Sequence, residues 1–170
     1  MKKVYICSPY RAQSNEKLTR NIEYAKSITR QAIEAGLAPI APHLYIPLCL
    51  DEDKPEEREL GLKAGIELLK TCSFVIVGIR YGISEGMSWE IATANAAGIE
   101  VVNVDKLQRK LESENEDRKK KIKEYAKLYA CDFCPGNRRH TCTSFSCKEP
   151  YEKARKYAET HIDSIKVPGM

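Results

Sequence analysis

The densest run of chemistry-bearing residues is Gly82-Ile83-Ser84-Glu85-Gly86-Met87-Ser88-Trp89-Glu90, between an apolar strand and a helix. Gly82 and Gly86 let the backbone approach a ligand. The free N–H groups of a first helical turn, together with the Ser84 hydroxyl, make an anion site suited to phosphate. Glu90 lies four residues after Gly86, on the same helical face and one turn further in. The plain alternative is that Ser84 is only an N-cap and Glu90 a solvated helix residue.

Two further polar clusters follow other strands. In Tyr5-Ile6-Cys7-Ser8-Pro9-Tyr10-Arg11, Ser8 and Arg11 can hold a hydroxyl or phosphate, the arginine through its bidentate fork. Tyr5 or Tyr10 can stack on a planar ring. A Ser-Pro turn is also common punctuation after a strand. In Ala41-Pro42-His43-Leu44-Tyr45, His43 is either structural or a ligand contact. All three clusters fall where an open α/β sheet places its ligands, outside the carboxyl ends of the strands.

The elements that must position these residues are legible in the hydropathy. Strands are expected at 3–7, 37–42, 74–78 and 99–104. Helices alternate with them, from Ser14 or Asn15 to about 35, from Pro55 or Glu56 to about 70, and from 85 to about 97. Phe74-Val75-Ile76-Val77 is apolar throughout, as a central parallel strand should be. The alternation predicts a Rossmann-like (flavodoxin-like) parallel α/β sheet flanked by helices.

From residue 105 the character changes to a helical, Cys-rich appendage. A charged helix is expected over 105–130, a cysteine cluster over 131–147, and a last helix from about 150 to 165. The chain is therefore divided into an α/β domain at 1–104 and a tail at 105–170. Cys131, Cys134, Cys142 and Cys147, spaced C-x2-C-x7-C-x4-C, could close a tetrahedral structural zinc site, with His140 as an alternative ligand. Unbound or redox-paired thiols and an iron–sulfur cluster are the other options. The remaining Cys7, Cys49 and Cys72 are expected to be buried thiols.

Composition bounds the function. The 170 residues are 42% hydrophobic and 31% charged, the balance of a soluble globular chain, and no apolar run reaches the roughly 20 residues of a membrane span. The N-terminus reads as a strand rather than a signal peptide, so a cytoplasmic protein is expected. The net charge of +4 is small and concentrated in the tail, which disfavours nucleic acid as a partner and suits an anionic small molecule.

Tyr-Ile-Cys-Ser-Pro-Tyr-Arg at 5–11, Pro-Ile-Ala-Pro-His at 39–43 and Ser-Glu-Gly-Met-Ser-Trp-Glu at 84–90 together resemble the nucleoside 2-deoxyribosyltransferase-like superfamily. The likeness spans roughly residues 1–104 and is nearest to its bacterial and phage-type members. It implies that Glu90 is a nucleophile forming a covalent glutamyl–sugar intermediate, with Tyr5, Ser8, Tyr10, Arg11, His43, Ser84 and Gly86 around a nucleoside or nucleotide, and no cofactor in catalysis. Ser84 stands where transferases carry an aspartate, which resembles the related 2′-deoxynucleoside 5′-monophosphate N-glycosidases and implies hydrolysis of a nucleotide. An aspartate of those glycosidases, on the helix before the third strand, aligns here with Gly65 or an apolar neighbour, and Glu67 is the closest acid. The family also implies homo-oligomers. The alternative is a non-catalytic nucleotide-binding module whose zinc-stapled tail contacts a partner or nucleic acid. A helix dipole is expected to lower the pKa of Glu90 and keep it ionised.

Overall fold

The computed structural model describes residues 1–133 and 148–167. The chain divides into two compact units, residues 1–108 and 109–170. The first carries four parallel strands, β1 (Lys3–Cys7), β2 (Ala38–Ile40), β3 (Phe74–Val77) and β4 (Glu100–Asn103), in the order β2-β1-β3-β4. Between them run α1 (Asn15–Glu34), α2 (Pro55–Lys70) and α3 (Glu85–Ala96). This is an α/β unit with a four-stranded parallel sheet. The chain reverses its direction of winding between β1 and β3, where open sheets of this kind form their ligand crevice.

Strand alternation assigns the two faces. Tyr5 and Cys7 of β1 and Val75 and Val77 of β3 point to one face, where Leu69 of α2 and Met87 and Ala94 of α3 close the core. Val4, Ile6, Phe74 and Ile76 point to the other and are equally buried. There α1 packs so closely that a Cβ on Gly78 would overlap Ile28 and Tyr24.

Local chemistry explains the element ends. Ser14 caps α1 by accepting from the Lys17 N–H at 3.4 Å, and Gly36 leaves the helix at φ 77°. The strand expected over 37–42 is only three residues long. It carries Pro39 and lies at the sheet edge, the position where a missing N–H is tolerated. The chain beyond it coils into two short 3₁₀ turns, Pro42–Leu44 and Ile46–Leu48. Cys49 caps the second turn and is exposed, unlike the buried Cys7 and Cys72, so the expectation of three buried thiols fails at that position. The apolar neighbours Leu48 and Leu50 do not bury it, because this turn lies at the surface, where Leu48 itself is exposed.

The second unit holds most of α4 (Leu107–Tyr129), a turn at Ala130–Phe133, and α5 (Lys148–His161). Ala126 of α4 and Ala154 and Ala158 of α5 are fully buried small residues. Tyr157 stacks on His161 at 4.2 Å and on Tyr125 at 6.0 Å, with Phe133 beside it at 5.7 Å. Cys131 is partly buried and free, whereas Cys134, His140, Cys142 and Cys147 lie outside the described residues. Among the described residues no three His, Cys, Asp or Glu side chains converge as a metal site, and no helix is long and apolar enough to cross a membrane.

Candidate active site

A cavity of about 470 Å³ opens at the carboxyl ends of β1 and β3, within the size range of small-molecule sites. Tyr5, Ser8, Tyr10, Arg11, His43, Ser84, Gly86 and Glu90 all line it, so residues spread over 85 positions converge on one volume.

At its floor the Tyr5 hydroxyl donates to Glu90 Oε1 at 2.6 Å. The distance is that of a charge-assisted O–H···O⁻ bond. Tyr5 belongs to the central strand β1 and its ring is fully buried, so it offers no face for stacking. Its work is to hold the carboxylate. Gly65 of α2 makes room for this contact, since a Cβ there would stand 3.1 Å from the Tyr5 oxygen. Glu90 sits in the second turn of α3, and the helix starts where Gly82 turns the chain at φ 89° and Ser84 accepts from the Met87 N–H at 3.3 Å. Ser84 is thus an N-cap, and its hydroxyl hydrogen remains available to a ligand.

Burial raises the pKa of Glu90, against the opposing hydrogen bonds from Tyr5 and Cys7. The expected lowering by the helix dipole is therefore overturned. Burial is the largest influence on this side chain, and it disfavours the charged form. The same burial, reinforced by the Glu90 charge, drives the Tyr5 phenol and the Cys7 thiol upward, so both stay protonated as donors.

Above the floor, Ser8 Oγ and His43 Nε2 lie 3.0 Å apart, with the donor set by the ring tautomer. Burial pushes the His43 pKa down to about 4, leaving the imidazole neutral at pH 7. Tyr10 meets it edge-on at 6.5 Å. The loop carrying Tyr10 and Arg11 is fastened by Asn21, a buried residue of α1 whose side-chain amide donates to the Tyr10 carbonyl at 3.1 Å. Arg11 reaches Asp53 at 3.5 Å in an exposed contact, which leaves it free to turn to an anion.

Glu67, the acid nearest the position of the glycosidases' aspartate, pairs with Lys70 at 2.6 Å and is 72% exposed. Neither it nor Asp51 or Asp53 lines the cavity. Glu52 and Arg58 do, and sequence reasoning missed both, along with Asn21. Only Asn21 left a trace in the sequence, as a polar residue one turn before Ala25 and Ile28 on the buried stripe of α1.

A parallel α/β unit with a carboxylate at its strand-end crevice defines a small-molecule site, served by loops after β1, β2 and β3. Residues 2–104 match the model of the family described as Domain of unknown function (DUF7768), and the chain belongs to that family. No curated protein matches it. Among solved structures it is similar to a 2-deoxyribosyltransferase from the psychrotolerant bacterium Bacillus psychrosaccharolyticus. That likeness has 21% identity and a TM-score of 0.45, covering 59% of this chain and 70% of the other.

Proposed function

We propose that the chain breaks the N-glycosidic bond of a (deoxy)nucleoside or its 5′-monophosphate, passing the sugar to water or to a second base. The observation that carries this is the buried Glu90 carboxylate, oriented by the Tyr5 hydroxyl at 2.6 Å on the floor of a nucleotide-sized cavity. The motif resemblance at 5–11, 39–43 and 84–90 supports the same chemistry.

As the C1′–N bond lengthens, its electron pair leaves with the base and positive charge develops on the sugar. A Glu90 oxygen stabilises that charge and then bonds to C1′. The departing base takes up a proton from solvent water. Water, losing its own proton, then attacks C1′ and releases the sugar and the free carboxylate; a second base does the same in transfer. Tyr5 stays protonated throughout and fixes which carboxylate oxygen faces C1′. Gly86 and the Ser84 hydroxyl, at the start of α3 where the helix terminus favours an anion, are proposed to take the phosphate together with Arg11 from the loop after β1.

The test is incubation with deoxynucleosides and their 5′-monophosphates, with and without an acceptor base, followed by chromatography. Free base without acceptor means hydrolysis, and a new nucleoside means transfer. Binding without either product would establish the non-catalytic module instead, which the lack of an acid on the cavity face of α2 favours. A zinc ion held by Cys131 with Cys134, Cys142 and Cys147, or by His140 in place of one of them, is proposed for the tail and checked by metal analysis of purified protein. Self-association is checked by light scattering.

A further inference from the structure

The face that α2 turns to the cavity is Arg58, Gly61, Leu62 and Gly65, spaced i, i+3, i+4, i+7 along one side of the helix. Two of the four are glycines in close quarters. A Cβ on Gly61 would come within 3.0 Å of Ile46, and one on Gly65 within 3.1 Å of the Tyr5 oxygen. With Leu62 apolar, Arg58 is the one polar side chain this face contributes.

Its neighbour is Glu52, from the turn before α2. The Arg58 Nη1–Glu52 Oε2 distance is 3.7 Å, and the side chains are only 25% and 26% exposed. That distance is beyond a hydrogen bond, so the contact leaves the guanidinium fork and the carboxylate oxygens unspent. No other hydrogen bond to either side chain exists among the described residues. Removing two charges from water for so loose a contact returns little stability. The aromatic Tyr10, close enough to Glu52 for its charge to push the phenol pKa up after burial, and the apolar Leu62 lie in the same cavity wall.

We infer that Glu52 and Arg58 together read the base of the substrate and select guanine. The inference rests on the N-glycosidic reaction proposed above and names its base. A carboxylate offers two adjacent acceptors and a guanidinium two adjacent donors. Guanine presents the complement on contiguous edges, N1–H and N2–H as donors and O6 and N7 as acceptors. Hypoxanthine has the same acceptors but a single donor. Adenine places its N6 donor between two acceptors, so a carboxylate beside it would face a lone pair. Cytosine and thymine each offer one donor group to a carboxylate that can use two.

The experiment has two arms. Binding of the 5′-monophosphates of deoxyguanosine, deoxyinosine and deoxyadenosine is measured by calorimetry on the chain carrying Glu90→Gln, which removes turnover. Release of the same bases is measured on the otherwise unaltered chain. The guanine nucleotide is expected to bind about tenfold to a hundredfold more tightly than the adenine one, with hypoxanthine between them. Adding Glu52→Gln should reverse the order, because an amide supplies the donor and acceptor that adenine requires. A pair that only supports the fold would weaken all three ligands alike. Guanine and adenine affinities within about twofold of each other would overturn the inference, as would a uniform loss in the Glu52→Gln chain or no binding at all. Should that variant fail to fold, the wild-type affinity order decides alone. Guanine-selective binding without base release would contradict the proposed reaction and leave the base assignment standing. Base release without a guanine preference would do the opposite.

Discussion

Exposed ion pairs one helical turn apart occur in both units, as Lys63 with Glu59 in the first shows, but one carboxylate of the N-terminal unit is held quite differently. In the C-terminal unit, carboxylates lie on helix surfaces one turn from a cation. Arg155 with Glu159 at 3.0 Å is representative, both side chains nearly half exposed. Such pairs are screened and contribute little. In the N-terminal unit, Glu90 is withdrawn from water and bonded to a phenol, with no cation paired to it among the described residues. A buried carboxylate of this kind costs stability and is retained where chemistry needs it. The lesson is that the number of charges says little about a site, while the depth at which one is held says much.

Removing the deep carboxylate should have the largest effect. Glu90→Ala is expected to lower base release on the order of 10³-fold or more, measured by chromatography under saturating nucleotide. The isosteric Glu90→Gln should be as inactive yet melt at a higher temperature near pH 7. The sign follows from linkage. The folded state holds the Glu90 proton more tightly than the unfolded chain, so ionising it above its raised pKa costs stability. Below the ordinary carboxylate pKa that cost is absent. The gain in melting temperature should therefore shrink as the pH falls.

Tyr5→Phe should act next. Losing a hydrogen bond to a charged group is expected to lower kcat/KM by about 10- to 100-fold. Because that bond holds the Glu90 pKa down, its loss should move the acid limb of the pH–rate profile to higher pH. His43 supplies a stability counterpart. Its folded pKa of about 4 lies below the ordinary 6.5, so the neutral ring contributes stability above pH 6.5 that is lost as the pH falls toward 4. His43→Gln should flatten the stability profile in that window, followed by thermal melts across it.

In the other unit the effects should be smaller and leave the reaction alone. Tyr157→Ala removes the ring between His161 and Tyr125 and should cost about 1–2 kcal/mol, seen as faster hydrogen exchange in α5, with base release within twofold of wild type. Glu159→Ala should cost about 0.3–0.5 kcal/mol, near the limit of a thermal melt.

How much of this the sequence disclosed depends on the range of the interaction. Strand β3 and the Ser84 cap were plain, because each is written in a few consecutive residues. The convergence of the loops after β1, β2 and β3 followed from topology alone, since a parallel α/β sheet sends those loops to one edge. What stayed hidden was the third dimension. Tyr5 and Glu90 are 85 positions apart, and neither propensity nor spacing records that one phenol reaches one carboxylate. The sign of the Glu90 shift went wrong for the same reason, because the helix dipole is readable from sequence and burial is not. Glu52 and Arg58 stand in an ordinary charged stretch around a helix start, and nothing in their local spacing marks them as part of the cavity wall.

The central claim is that Glu90 becomes covalently bound to the sugar during turnover. It is tested most directly by quenching a reaction with a deoxynucleoside 5′-monophosphate in acid and mapping the protein by mass spectrometry. The expected result is one sugar-phosphate adduct on the peptide carrying Glu90, absent from the Glu90→Gln chain. Steady base release by the Glu90→Gln chain, with no adduct on either protein, would contradict it.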